Sequence, residues 1–379
     1  MSRGDSMLKK ALILTLFVAL LTGCTPKESL TKYSNQTIEA GFDTIITLVG
    51  YTKSQSEFDD YFETMKTAFT RYNQLFDKYN DYNGVNNIKT INDNAGKTPI
   101  VVDSAIIEML KMAKEWYTPS GGTFNVTMGA VLEVWHNYRD NGEMDNTNGV
   151  EGAIPTIDEL KEADKCTGWQ YVEIDEAAST VYLNNPCTRL DVGGIAKGFA
   201  TELVAQQLEE DGLTIGIVNA GGNVRLIGSK PDGEKWAVGI QSPDETQIDS
   251  LDTLYASTSM SVVTSGDYQR YFIGPNQVKY HHLIDPFSLF PARQARAVTV
   301  LVSDSGLADT LAKPLFILPY QEALAFLEKF NADHPDEYLG AVWVYDKGMN
   351  PAGTTAITSG EFSLVYSENI KEYSRLNTK

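Results

Sequence analysis

The stretch YHHLIDP, residues 280–286, sets two of the chain's four histidines side by side, with the carboxylate of Asp285 three residues after the second. A neutral imidazole is a suitable general base near pH 7, contributing roughly 10²–10⁴-fold to a rate. On a strand, successive side chains face opposite sides, so His281 and His282 do not enter one pocket together. Either both only pack, or one does chemistry and the other supports it. A second chemical segment is RLDVGGIAKGFATELVAQQLEEDG, residues 189–212. It reads as a strand ending at Asp191, a Gly193–Gly194 turn, and a helix with Lys197 in its first turn. A helix start offers free N–H groups and roughly half a positive charge, so this is a natural anion site, and Lys197 adds a full charge. The alternative is a plain strand-to-helix turn. NAGGNVRLIG (219–228) and VVTSGDYQRYF (262–272) are further turns, the latter with Thr264 and Ser265 suited to hydrogen-bonding a ligand. SDSGLADTLAK (303–313) contributes Asp304 and Asp309; a carboxylate such as Asp309 is a hard-cation ligand or a solvated helix acid.

The elements that must position these residues follow from periodicity. FDTIITLVGY reads as a strand, and FDDYFETMKTAFTRYNQLFDKY as a long amphipathic helix whose aromatic stripe is core. SAIIEMLKMAKEWY is a second helix, N-capped by Asp103 or Ser104, and TFNVTMGAVLEVWHNY begins a third. An acidic, Asn/Gly-rich loop is expected over 139–153, then a short helix TIDELKEADK and a hairpin of YVEID and TVYLN. From residue 214 short strands alternate with turns, interrupted by helices near 304–312 and 320–331. Strands and helices interleave without a βαβ period, which predicts an α+β fold of mostly antiparallel sheet with packed helices, one compact unit over 38–370.

The net charge of −19, from 31 basic and 50 acidic side chains, excludes nucleic acid as a partner class. An acidic protein that handles a phosphate compound needs a metal, an anion-cradling loop, or both. Lys9 and Lys10 precede the apolar run ALILTLFVALL, which is short for a spanning helix and right for a signal peptide. It ends in LTGC, residues 21–24, which resembles a lipoprotein cleavage box. The expected organisation is a signal peptide over 1–23, a lipidated Cys24 with a polar tether over 24–37, and a mature protein anchored to the outer side of the cell membrane. Cys166 and Cys187 flank the hairpin and are either bridged or free.

Taken in order, DVGGIAKGFA (191–200), NAGGN (219–223), TSGDYQRYF (264–272), HHLIDP (281–286) and LADTLAKPLF (307–316) resemble the ApbE family of FAD:protein FMN transferases. GFDTIITL (41–48) and GGTFNVTMGAVLEVW (121–135) also fit, so the resemblance spans about 38–360. It implies an ApbE-like (T-fold-like) domain that moves FMN from FAD to a threonine hydroxyl of a target protein, with Mg²⁺ and release of AMP. By resemblance His282 is the base and His281 its packing neighbour. Phe42, Tyr79, Thr123, Phe124, Asn125, Asp191, Lys197 and Leu283 match FAD-contacting positions, Leu283 through its backbone. The Gly194 carbonyl and Asp309 match metal ligands. The implied partner is an exported or membrane flavoprotein with a threonine in a Ser/Thr/Gly-rich motif. One departure stands out: Lys313 occupies the position where the family has a metal-ligating threonine, and a protonated ammonium ligates no Mg²⁺. That leaves two other readings open, an FAD-binding or storage lipoprotein and an FAD pyrophosphatase giving FMN and AMP.

Overall fold

The computed structural model describes residues 29–378 apart from Glu245 and Ile248. The signal peptide and Cys24 lie outside the described residues. Among those described, nine strands form one antiparallel sheet in the spatial order Thr31–Thr37, Ile46–Thr52, Gly216–Ala220, Asn223–Ile227, Met260–Gly266, Ala297–Val302, Gly340–Asp346, Phe362–Tyr366, Ala356–Ser359. The central strands read as continuous apolar runs because both of their faces are covered. Alternation sends Val263, Val298, Val300 and Trp343 to the helical side, and Val262, Ala297, Leu301 and Val342 to the side covered by the hairpin of Trp236–Ile240 and Asp252–Ala256. The α+β, mostly antiparallel expectation holds, although the strand Asp252–Ala256 carries no clear sequence signal. Its buried Asp252 is satisfied by Tyr366 Oη (2.9 Å) and Ser374 Oγ (2.6 Å).

Helix Gln55–Phe76 starts at Ser54, whose Oγ accepts from Glu57 N at 3.2 Å. It buries Phe58, Phe62, Met65 and Phe69, a stripe one side of the cylinder wide. It packs on the strands Thr31–Thr37 and Ile46–Thr52 and on helix Ala196–Glu210, which in turn packs on helix Ser305–Ile317 over the middle of the sheet. A third apolar cluster, with Trp135, Phe272, Ile284 and Leu289 at its centre, joins helix Gly129–Thr147 to the hairpin Tyr271–Gly274/Val278–His281. These two layers, regular helices on a sheet and a helix-plus-hairpin lobe, hold the two halves of the site.

Three expectations are corrected. Residues 31–37 are not tether but an edge strand in full register with Ile46–Thr52; its polar sequence suits an edge, and Tyr33 anchors it on Phe58 at 5.7 Å. The expected loop at 139–153 is helical up to Thr147. Tertiary contact overrides composition there: Gly142 lies so close to Phe272 that a Cβ would stand 2.5 Å from the ring. Asn146 also pairs with the Ile273 backbone, donating to its carbonyl at 2.8 Å and accepting from its N–H at 2.6 Å. No strand ends at Asp191 in the described structure; Arg189 makes only an isolated parallel bridge to Met128. Cys166 and Cys187 are joined in a disulfide, Cα–Cα 5.4 Å.

Candidate active site

Helix Ala196–Glu210 begins beside the Gly193–Gly194 turn, and helix Ser305–Ile317 delivers Asp309 to that start. Asp309 Oδ2 accepts from Gly198 N (2.9 Å) and from Asn223 Nδ2 (3.0 Å). The anion at this helix N-terminus is thus one of the protein's own carboxylates. The N–H groups of Ile195 and Ala196 are bonded to Val192 O at 3.0 and 2.8 Å. Lys313, one turn after Asp309 on the same helix face, donates to Asp309 Oδ1, to its main-chain oxygen (3.1 Å) and, at 3.4 Å, to Ser265 Oγ. The Lys313 stem passes 3.4 Å from where a Cβ on Gly194 would stand, and Phe124 lies at 3.5 Å from the same point. Lys197 reaches the turn carbonyl of Gly221 at 3.1 Å. Burial lowers its ammonium to about 8; Asp309 opposes this, while Lys313 and Arg270 add to it.

Asp191 organises a second group. Its Oδ2 accepts from Lys78 Nζ at 2.5 Å and its Oδ1 from Gly193 N at 2.9 Å. Burial pushes its carboxyl up, but Lys78, His136 and the Gly193 N–H outweigh that and hold it at about 2. Lys78 Nζ also lies 2.8 Å from His136 Nδ1, and Tyr79 Oη 3.2 Å from the same nitrogen. An ammonium has no lone pair, so His136 Nδ1 is the acceptor and the ring proton is assigned to Nε2. Burial and the Lys78 charge lower His136 to about 4.

His136 and His282 line one small pocket of about 10 Å³ with Trp135, Arg139, Phe272 and Tyr280. The strand carrying the histidine pair ends at His281, so strand alternation does not govern His282, and both histidines line this pocket, contrary to the expectation that they would not share one. His281 is buried: Nε2 donates to Ala292 O at 2.7 Å, Nδ1 accepts from Leu283 N at 3.2 Å, and the ring meets Phe316 edge-on. His282 is partly exposed, yet its Nδ1 is buried with no hydrogen-bond partner. Burial, followed by the positive fields of His281, Arg270 and Lys313, holds its pKa well below 6.5. Arg270 acts on both Lys197 and His282, which ties the two groups into one site.

The structure brings together Gly194, Phe124, Lys197, Asp309 and Lys313, and separately Asp191 and Tyr79. Phe42 stands at the entrance to the strand Ile46–Thr52, with φ +60°, its N–H held by Asn73 Oδ1 (2.8 Å) and its ring edge-on to Phe69. Thr123 turns inward, donating to Ser120 O at 2.6 Å, and Asn125 Oδ1 accepts from Thr127 N (3.0 Å) and Oγ1 (2.7 Å). At Leu283, the N–H is given to His281 Nδ1 and the carbonyl accepts from Ala292 N at 2.9 Å, which leaves the carbonyl's second lone pair for a ligand. Sequence reasoning missed Lys78 and His136. The only signal for them is that each carries chemistry beside an aromatic motif residue, Tyr79 and Trp135.

The divalent ion that the resemblance implies does not fit these donors. Both Asp309 oxygens are committed, one of them to an ammonium that stands beside Gly194. Among the described residues no group of three or more His, Cys, Asp or Glu side chains is arranged to hold a metal.

Comparison with known proteins decides the family. The profile of the ApbE family matches residues 42–335. The chain belongs to the ApbE family. It is 33% identical over 258 residues to an FAD:protein FMN transferase of Treponema pallidum (strain Nichols), covering 64% of this chain and 68% of the relative. It is 29% identical over 266 residues to one of Klebsiella pneumoniae (strain 342), covering 69% and 78%. Among solved structures, the ApbE protein of Thermotoga maritima MSB8 superposes with a TM-score of 0.73 at 27% identity, over 91% of this chain and all of that one. This ApbE chain shares that fold over 91% of its length, and its Lys313 lies in its own segment LADTLAKPLF on helix Ser305–Ile317.

Proposed function

We propose that this ApbE protein transfers FMN from FAD to a threonine hydroxyl of an exported or membrane protein and releases AMP. The observation that carries the reading is His282: a neutral imidazole with an unpartnered buried nitrogen, beside a cluster of cations. A threonine hydroxyl is a weak nucleophile and needs a base, and a diphosphate needs positive charge along its non-bridging oxygens. In the step proposed, the threonine oxygen bonds to the FMN phosphorus and its proton passes to His282. The bond from that phosphorus to the bridging oxygen breaks, and AMP leaves with that oxygen. Lys197 and Lys313 stabilise the charge on the diphosphate. Phe42 and Tyr79 supply rings for the flavin or adenine. The apolar leader and Cys24 support placement outside the cell membrane on a lipid anchor.

The test uses the purified protein, FAD and an acceptor bearing a threonine in a Ser/Thr/Gly-rich motif, read by the acceptor's intact mass. A gain of one FMN less one water, with one AMP per label, supports transfer. Free FMN and AMP without label make the protein a pyrophosphatase. Bound FAD without AMP makes it a flavin-binding lipoprotein.

A further inference from the structure

The cation end of the site has an unusual composition for a divalent-metal centre. Asp309 is the one carboxylate there, and it is buried. Its Oδ2 caps helix Ala196–Glu210 through Gly198 N, and its Oδ1 faces Lys313. Lys313 is held in place on three sides: by the Asp309 carboxylate, by the Asp309 main-chain oxygen at 3.1 Å, and by Ser265 Oγ at 3.4 Å. Its stem runs along Gly194. Lys197, fixed on the Gly221 carbonyl, faces the same carboxylate from the neighbouring helix. A divalent ion reaching Asp309 would have to displace the ammonium of Lys313 and then lie beside it and Lys197. Like charges at such range, partly out of water, repel strongly. Hard cations also collect several oxygen ligands, and among the described residues no group of three or more His, Cys, Asp or Glu side chains gathers at Asp309.

We infer that Lys313 takes the place of a divalent cation: the chain binds a dinucleotide diphosphate with the ammonium groups of Lys313 and Lys197 and with no bound divalent metal. This rests on the proposed reading of the site. The diphosphate of a dinucleotide carries two negative charges; the two ammonium groups, against the one negative charge of Asp309, leave a net positive charge to meet it. An ammonium offers three N–H donors, of which Asp309 takes a share, so donors remain for non-bridging phosphate oxygens. Unlike an ion, this cation is covalently part of the helix and survives a chelator.

The experiment titrates the purified protein with Mn²⁺ by electron paramagnetic resonance and, separately, with FAD by flavin fluorescence quenching in EDTA and in millimolar Mg²⁺. The wild type should show no saturable Mn²⁺ site of which Asp309 is a ligand, and an FAD affinity that changes less than about twofold between EDTA and Mg²⁺. Lys313→Thr should gain one Mn²⁺ per chain; its FAD affinity in EDTA should fall about tenfold or more and return with Mg²⁺. A wild type that binds one Mn²⁺ per chain, lost in Asp309→Asn, overturns the inference. If Lys313→Thr does not fold, Lys313→Met keeps the stem and removes the charge. FAD affinity undiminished in that variant overturns the inference equally. FAD that fails to bind the wild type at all removes the functional reading instead, while the Mn²⁺ titration still decides what stands at Asp309.

Discussion

The two halves of the site are built on opposite plans. At the cation end the charged groups are anchored inside the protein: Asp309 holds Gly198, Asn223 and Lys313, and Lys197 holds Gly221. Regular helices on the sheet carry these groups. At the histidine end a helix and a short hairpin frame a small pocket of about 10 Å³, and one ring nitrogen, His282 Nδ1, has no partner. A satisfied buried network holds charge in a fixed place with little reorganisation. An unsatisfied nitrogen costs stability on its own, and such a group is retained where a ligand or a proton completes it. The contrast teaches a division of labour: one end is preassembled to bind, the other is left open to react.

The sharpest way to break that division is His282→Ala. Removing the base should lower transfer by roughly 10²–10⁴-fold and leave FAD affinity within about twofold, because binding rests on the other end. Single-turnover labelling and fluorescence quenching measure the two separately. A variant that loses FAD affinity and keeps its turnover would reverse the assignment of roles.

Asp309→Asn attacks the preassembled end. The amide oxygen still accepts from Gly198 N, so the change is the loss of one charge facing Lys313. Side-chain exposures of 13% and 5% make this a buried pair, and breaking such pairs costs about 3–5 kcal/mol. Denaturant unfolding reads this directly. A loss under about 1 kcal/mol would mean that Lys313 leaves the carboxylate in solution and the end is not preassembled.

How much of this was open to sequence reading also divides along the two ends. The cation end was legible because its residues cluster in glycine turns and in one i, i+4 helix pair, local patterns with local physical causes. Lys197 and Asp309 came from such runs, as did Asp191 at the other group, while Lys313 was noticed only from its place in the family resemblance. The histidine end was half legible. The pair at 281–282 declared itself, but alternation did not place it: the strand ends at His281 and both histidines line one pocket. Lys78 and His136 did not, because their meeting with Asp191 spans 113 residues for Lys78 and depends on helix Gly129–Thr147 lying against the hairpin. That helix ran past its apparent end because Gly142 and Asn146 fit Phe272 and Ile273, a tertiary cause invisible to periodicity. The edge strand at 31–37 hid behind a polar composition that edges favour.

pH separates the ends next. His136 and His281 both stand at about 4 in the fold against 6.5 unfolded, and His282 also lies well below 6.5. The unfolded chain therefore binds more protons between those values. The stability these rings contribute is complete above pH 6.5 and is lost as pH falls toward 4. From pH 7.5 to 5 the loss is about 2 kcal/mol for each of His136 and His281. Asp304 and Asp267, whose carboxyls burial pushes up, act in the opposite sense and trim it. Urea midpoints at the two pH values test the sum, and His136→Gln should flatten the slope. A midpoint that does not fall would mean that these rings are solvated and the pocket is not closed.

The smallest effect concerns Tyr79, which is 60% exposed at the rim of the Asp191 group. Its hydroxyl lies 3.2 Å from His136 Nδ1, but that nitrogen has one lone pair and Lys78 reaches it at 2.8 Å. Tyr79→Phe should therefore cost less than about 1 kcal/mol of stability and keep the ring for stacking. Tyr79→Ala removes the ring, and a lost aromatic stack of about 0.5–1.5 kcal/mol predicts FAD binding roughly two- to tenfold weaker. The ratio between the two variants is the informative quantity. Weakening in Ala alone assigns Tyr79 to the flavin or adenine ring, on the open side of the site. Equal weakening in both would instead assign the hydroxyl, and with it His136, to the preassembled network.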